Sequence, residues 1–148
     1  SIAECEAAVS YNPSYAHAYH GLAHLYMMTP GGDAQVSLDL MTQAIRLSPR
    51  DPLLWVFEHM KGATLLSLER NDEALEWMEK AAGHPNAGFW AFSGLAACQA
   101  ALGEQTKAEE ALAKALEINP NLSQTFLEET YPGALLSYKK YLDLAGLT

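Results

Sequence analysis

The sequence lacks any run of about 18 apolar residues, the length that a membrane-spanning helix requires, within its 148 positions. It is also poor in basic residues, with nine Lys and Arg against 18 Asp and Glu, for a net charge of −9. Nucleic-acid backbones and anionic membranes select clusters of Lys and Arg. We therefore expect no nucleic-acid partner and no membrane partner, and we expect a cytoplasmic location.

Catalytic signatures are missing as well. The chain has no glycine-rich phosphate loop, no Gly-x-Ser-x-Gly, no cysteine pair at zinc spacing and no His-Glu-x-x-His. Its two cysteines, Cys5 and Cys98, lie far apart in helical patterns, and we interpret them as buried free thiols. These absences predict a protein that is not an enzyme and that uses no cofactor.

Proline, in contrast, recurs at a nearly constant interval. Pro13, Pro49, Pro85 and Pro120 are separated by 36, 36 and 35 residues (49 − 13, 85 − 49, 120 − 85). The last three close amphipathic segments with small inner residues, MTQAIRLSPRDP, EALEWMEKAAGHPN and AEEALAKALEINPN, and AECEAAVSYNPS is a truncated fourth copy. A period near 34 built from two helices is typical of stacked helical repeats.

The period also predicts the organisation of the chain. No stretch shows the two-residue alternation of a half-buried strand, so we predict a single all-α domain whose helix pairs pack in series. Because the chain starts at Ser1 within a helical pattern and without Met, we expect a piece of a longer protein. The predicted units are a partial repeat at 1–13, repeats at 14–50, 51–86 and 87–121, and a helical cap at 122–148.

Turn residues mark where each pair reverses. Pro and Gly within 29–32 and Gly103 stop the first helices of the first and third repeats. In the second repeat the turn is 69–72, where Asn71 or Asp72 is expected to cap the next helix. After Pro132-Gly133, a last helix at 134–145 is expected to end at Gly146.

The three copies share a pattern of small and bulky residues. Their matching positions are Tyr19, Leu22-Ala23, Tyr26, Ser37, Met41, Ala44 and Pro49; Gly62, Leu65, Ala74, Met78, Ala81 and Pro85; and Phe92, Leu95-Ala96, Ala108, Leu112, Ala115 and Pro120. In this pattern residues 1–122 resemble the tetratricopeptide repeat. The resemblance implies a right-handed superhelix of antiparallel helix pairs and a protein–protein interaction function.

A narrower resemblance rests on three phrases, AIRLSPRDPLLW, NDEALEWMEKA and the tail YLDLAGLT. They look like the C-terminal repeat region of bacterial class III adenylate or guanylate cyclases, or of winged-helix regulators with appended repeats. This resemblance implies a larger regulatory or signalling protein, with a catalytic or DNA-binding domain preceding Ser1.

The resemblance also implies where a partner binds, because the first helices of such arrays line a groove. We expect a protein or peptide partner with apolar anchors to contact a histidine-rich end and an apolar end that carries a tryptophan. The residues predicted to face the groove are His17, His20, His24, Met27, Val56, His59, Ala63, Leu66, Trp90, Ser93 and Ala97.

Three alternatives stay open at this point. His20 and His24 share one helical face with His17, so they are weak candidates for a metal site, although no carboxylate or thiol completes a ligand set. The same imidazoles offer pH-dependent binding, since histidine changes charge near neutrality. The truncated first repeat is expected to expose an apolar helical edge. Two copies of the chain could pair through this edge, which would give the protein a structural role as a homodimer. Trp55, at apolar helical spacing, is interpreted as packing.

Overall fold

The helices begin and end mostly where the turn signals predict. The computed structural model describes residues 1–130 and 136–148, with residues 136 and 137 described by their backbone, and these residues contain helices and no strand. Ala134, Leu135 and the predicted stop at Pro132-Gly133 lie outside the described residues. The helices are α1 (Ile2–Tyr11), α2 (Ala16–Met28), α3 (Ala34–Leu47), α4 (Leu54–Ser67), α5 (Asn71–Ala82), α6 (Phe89–Ala101), α7 (Gln105–Ile118), α8 (Gln124–Thr130) and α9 (Leu136–Leu144).

Glycines with positive φ form the predicted reversals. Gly31 (φ 76°) lies between α2 and α3, Gly103 (φ 77°) follows α6, and Gly146 (φ 106°) follows α9. Within the predicted 69–72 turn, the expected cap by Asn71 or Asp72 is wrong. Both residues are already helical in α5, whose N-cap is Arg70, and no side chain caps that helix.

The helices pack as consecutive antiparallel pairs, α2 with α3, α4 with α5 and α6 with α7. Each second helix also packs on the first helix of the next pair, α3 on α4 and α5 on α6. This serial burial is the arrangement expected of a repeat array, in which no pair buries its apolar face alone.

Met78 explains why small residues recur in the first helices. Its side chain, fully buried, extends from α5 into the space between α4 and α6. A Cβ atom added to Gly62 would lie 3.0 Å from Met78, and one added to Gly94 would lie 2.5 Å from the Met78 sulfur. The absence of a side chain at these glycines therefore lets the helices approach.

The segment predicted as a partial repeat, residues 1–13, differs from the predicted complete repeats. Ala8 lies five residues before Pro13, as Ala44 lies before Pro49 and Ala115 before Pro120 (13 − 8, 49 − 44, 120 − 115). Ala44 and Ala115 are fully buried, whereas Ala8 is exposed and α1 has no buried residue. The main neighbour of α1 is α2, so one face of α1 lies open.

The two cysteines are free, as predicted, but only Cys98 is buried, and Cys5 is half-exposed. Burial raises the pKa of the Cys98 thiol to about 12, so this sulfur is a poor nucleophile. None of the helices in the described ranges combines the length and apolar character needed to cross a membrane.

Candidate functional site

The first helices α2, α4 and α6 form one face of the molecule, which we call the groove. The groove contains a partly open pocket of about 180 Å³ between α2 and α4. Four residues of α2, five of α4 and one of α6 line this pocket. They are His20, His24, Met27, Met28, Trp55, Val56, His59, Met60, Ala63 and Trp90.

Seven of the eleven residues predicted to face the groove line this pocket. Met28, Trp55 and Met60 were missed, and Trp55 both lines the pocket and packs on Gly88, where an added Cβ would lie 2.9 Å from its ring. The sequence contains a pattern that indicates the groove position of Met28 and Met60. Met28 follows His24 by four residues and Met60 follows Val56 by four, so each lies on the same helical face as a predicted residue.

The other four predicted residues do not line the pocket. His17 instead pairs with Asp51 through an Nε2–Oδ2 distance of 2.9 Å. Leu66, Ser93 and Ala97 are buried in the interior. That these four residues contact a partner therefore stays a prediction, and the pocket does not extend along the whole groove.

Helix α9 covers part of the groove, because it packs on the groove side of α6 and also contacts α4. Its Tyr138 is buried, with the phenol oxygen 3.1 Å from Nε2 of His59 and 3.2 Å from the carbonyl oxygen of Trp90. The Tyr138 ring meets the His59 ring edge-on at 5.9 Å and the Trp90 ring at 6.3 Å. The C-terminal helix thus occupies the α6 end of the groove.

The hydrogen bonds of Tyr138 also determine the protonation of His59. The phenol has a single hydrogen, which it donates to the Trp90 carbonyl, so His59 must donate its Nε2–H to the phenol oxygen. Desolvation lowers the pKa of His59 to about 4, so its ring is neutral at pH 7. Burial likewise raises the pKa of Tyr138 well above its usual value.

The pKa values of His20 and His24 in α2 are also lowered, which favours their neutral form. Burial, with smaller contributions from His24 and His17, lowers the pKa of His20 to about 4, and burial lowers the pKa of His24. At neutral pH the pocket therefore contains uncharged imidazoles. These pKa values do not support the alternative that His20 senses pH near neutrality, because its charge changes in a more acidic range.

His20 and His24, the two residues considered for a metal site, belong to no group of three possible ligands in the described part of the chain. The His20 and His24 rings lie 6.4 Å apart. Across residues 1–130 and 136–148, no three His, Cys, Asp or Glu side chains come together in a way that could hold a metal ion.

Two carboxylates near the groove form contacts within the fold. Asp51 accepts hydrogen bonds from the Leu53 N–H and from His17, and the pKa of Asp51 is lowered, first by the Leu53 N–H. Glu58 is buried and pairs with His84 at 2.8 Å. Asp51 connects the first predicted repeat to the second, whereas the Glu58–His84 pair lies within the second, and neither carboxylate lines the pocket.

The lining therefore suits binding more than chemistry. It presents thioethers, indoles and small aliphatic groups with neutral imidazoles, and its ten residues include no carboxylate, amine, hydroxyl or thiol. Methionine side chains adapt to differently shaped apolar partners, and tryptophan contributes large contact area.

Comparisons with known proteins agree with the fold. The sequence pattern described as Tetratricopeptide repeat matches residues 59–83 and 92–122. A comparison with curated proteins finds no match. Among solved structures, the chain is similar to YrrB, described as a TPR protein with an unusual peptide-binding site. That similarity has a TM-score of 0.64 and 20% identity, and it covers 97% of this chain and 74% of that one.

Neither comparison points to a cyclase or to a winged-helix regulator, so the narrower resemblance gains no support from them. The broader resemblance gains support from both comparisons. Residues 59–83 and 92–122 match the tetratricopeptide repeat pattern, and the chain folds as an all-α, tetratricopeptide-like array of antiparallel helix pairs.

Proposed function

We propose that this chain is a protein–protein interaction module that receives a peptide or a segment of a partner domain in the groove. The anchor site is the pocket between α2 and α4. The observation that carries this proposal is a pocket of about 180 Å³ whose wall includes two tryptophans and three methionines. Buried aromatic and apolar anchors supply most of the binding energy at protein interfaces.

The position of α9 supports this choice of anchor site. Tyr138 already occupies the neighbouring part of the groove, so His59 and Trp90 hold the protein's own C-terminal helix. The part of the groove between α2 and α4 lies beside this site and includes the rings of His20 and Trp55. The description of YrrB as having a peptide-binding site is consistent with this function.

A peptide-display selection against the purified chain tests the proposal. Val56→Arg places a charge in the pocket wall and is expected to weaken the selected peptides at least tenfold. Leu53→Arg is the matched control, because Leu53 is 45% exposed just before α4 and does not line the pocket. Circular dichroism verifies that both variants fold.

Two results would overturn the proposal. The first is a selection that enriches no peptide for the wild-type chain. The second is a set of enriched peptides that bind Val56→Arg and Leu53→Arg equally well, since such peptides would bind elsewhere on the molecule.

A second proposal, self-association, rests on the open face of α1. Ala8 is exposed although Ala44 and Ala115, its counterparts in complete repeats, are fully buried, and Tyr11 is 96% exposed. A homodimer through this face predicts a molar mass that rises with concentration in light scattering and that Ala8→Arg returns to the monomer value. A constant monomer mass over the concentration range would exclude it.

The wider context is proposed from the sequence phrases. A bacterial cytoplasmic protein with a regulatory or signalling role, carrying a cyclase or winged-helix domain, is the setting that they suggest. Sequencing the gene upstream of the codon for Ser1 tests this proposal directly, and an upstream region that encodes neither domain would reject it.

A further inference from the structure

The site that holds Tyr138 has a counterpart one repeat earlier in the groove. The register between repeats follows from three buried small residues at matching helix positions, Ala23, Gly62 and Ala96, with offsets of 39 (62 − 23) and 34 (96 − 62). By these offsets, His59 corresponds to His20 (59 − 39) and Trp90 corresponds to Val56 (90 − 34).

The occupied site shows what such a position binds. The Tyr138 phenol oxygen accepts the Nε2–H of His59 and donates to the Trp90 carbonyl, and its ring packs edge-on against both side chains. The aromatic ring fills the space between two first helices, while the hydroxyl forms hydrogen bonds with a half-buried imidazole and a backbone acceptor.

The counterpart site is the pocket between α2 and α4. Both His20 and Val56, the equivalents of His59 and Trp90, line it. Its volume of about 180 Å³ is large enough for a six-membered ring, since an apolar cavity of about 150 Å³ holds benzene. Valine, being smaller than tryptophan, leaves space on the side where Trp90 closes the occupied site.

We propose that this pocket takes one tyrosine side chain from a helical segment of a partner protein, bound between His20 and Val56 as Tyr138 is bound between His59 and Trp90. This inference rests on the proposed function and specifies its ligand. A lysine or carboxylate anchor would enter a wall that offers it no opposite charge. A neutral imidazole at His20 can form a hydrogen bond with the phenol hydroxyl of tyrosine. Phenylalanine and leucine have no hydroxyl to form this bond.

The direct probe is N-acetyl-L-tyrosinamide, titrated into the ¹⁵N-labelled chain and followed by the amide resonances, with the phenylalanine and leucine analogues as comparisons. We expect shifts centred on His20 and Val56. Tyrosinamide should bind about three- to tenfold more tightly than phenylalaninamide, the range that one net hydrogen bond supplies. Leucinamide should bind more weakly than either.

His20→Leu is expected to abolish the preference for tyrosine over phenylalanine. His17→Leu is the matched control: it makes the same substitution in the same helix, but His17 pairs with Asp51 outside the pocket, so the preference should persist. If His20→Leu fails to fold, Val56→Phe is the second variant. It fills the pocket from its wall and should remove the shifts.

The results separate this inference from the proposed function. Equal binding of the three amides, or resonance shifts centred on α6 and α9, would overturn the proposal that the pocket binds tyrosine. Selected peptides that require Val56 but share no aromatic residue would also overturn it while leaving groove binding intact. A second copy of this chain inserting its exposed Tyr11 would be detected as a dimer that Tyr11→Ala dissociates, and this result too would overturn binding of a separate partner.

Discussion

Tyr138 of the last helix and His59 of α4, 79 positions apart in the chain, are joined by a hydrogen bond of 3.1 Å inside the groove. The bond shows that the C-terminal helix does more than cover the last repeat, since it fills the groove beside the open pocket. We therefore regard the groove as two neighbouring sites, of which the chain itself occupies one.

Removing the hydroxyl group of Tyr138 should weaken the packing of α9 in the groove. Tyr138→Phe leaves the half-buried Nε2–H of His59 and the Trp90 carbonyl without their shared partner. We expect the free energy of unfolding to fall by about 1–3 kcal/mol. Urea denaturation measures this change, and amide hydrogen exchange should show faster opening of α9. Tyr141→Phe, the same change in the same helix, is the comparison, and equal effects of both variants would contradict the importance of the phenol hydrogen bonds.

A second prediction concerns the space occupied by Met78. An added Cβ at Gly94 would lie 2.5 Å from the Met78 sulfur and 2.9 Å from Cδ2 of His59, so Gly94→Ala should cost about 1–3 kcal/mol through overpacking. At Gly21, also helical, an added Cβ meets nothing within 4 Å, so Gly21→Ala should stabilise the protein by about 0.5–1 kcal/mol.

Both variants can be compared by their urea midpoints. If the cost at Gly94 comes from Met78, combining Gly94→Ala with Met78→Ala should destabilise the protein less than the sum of the two single changes. Strict additivity would show that the strain arises elsewhere.

The turn between α4 and α5 offers a stabilising change. Glu69 has φ of 60°, and the Arg70 N–H bonds the Leu65 carbonyl at 3.0 Å, the pattern with which many helices end on glycine. After α6 the same pattern contains Gly103, with the Glu104 N–H 2.8 Å from the Gln99 carbonyl. Because a side chain in the left-handed region costs about 1 kcal/mol, Glu69→Gly should raise stability by about that amount.

Thermal denaturation checks this prediction. The reciprocal change, Gly103→Ala, should lower the melting temperature, because it places a Cβ in the same left-handed conformation. A lower melting temperature for Glu69→Gly would indicate that the Glu69 side chain makes a compensating interaction.

The pKa values predict how stability depends on pH. His20 and His59 have pKa values of about 4 in the folded chain, below the ordinary 6.5, so between these values the unfolded chain binds more protons. The free energy of unfolding should therefore fall as pH decreases from 6.5 to 4, by up to about 3 kcal/mol for each histidine. The lowered pKa of Asp51 acts in the same direction at lower pH, where protonation removes the stabilising contribution of its carboxylate.

Urea denaturation at pH 7, 5.5 and 4.5 measures this loss. His20→Leu should remove about half of the contribution that His20 and His59 together make to the pH dependence. A variant with the wild-type pH profile would show that His20 is accessible to protons in the folded state.

The sequence predicted the repeat array from particular residues. Ala44, Ala81 and Ala115 were identified as matching small residues of the three copies, and all are fully buried. Gly103 and Gly146 were predicted to end helices, and both have the positive φ that favours glycine. Such features depend on neighbours within about one helical turn and on a period that repeats, so local sequence determines them.

Tertiary structure alone decided which part of the groove is open. Ser93 and Ala97 follow the same helical stripe as Trp90. The sequence predicted a C-terminal helical cap, but no local pattern indicates that α9 packs on the groove face of α6. Nor did the spacing show that His17 pairs with Asp51, or that Glu58 pairs with His84 across 26 residues. Helical periodicity specifies which face of a helix a residue occupies. What covers that face depends on contacts between segments distant in sequence, and these arise only when the whole chain packs.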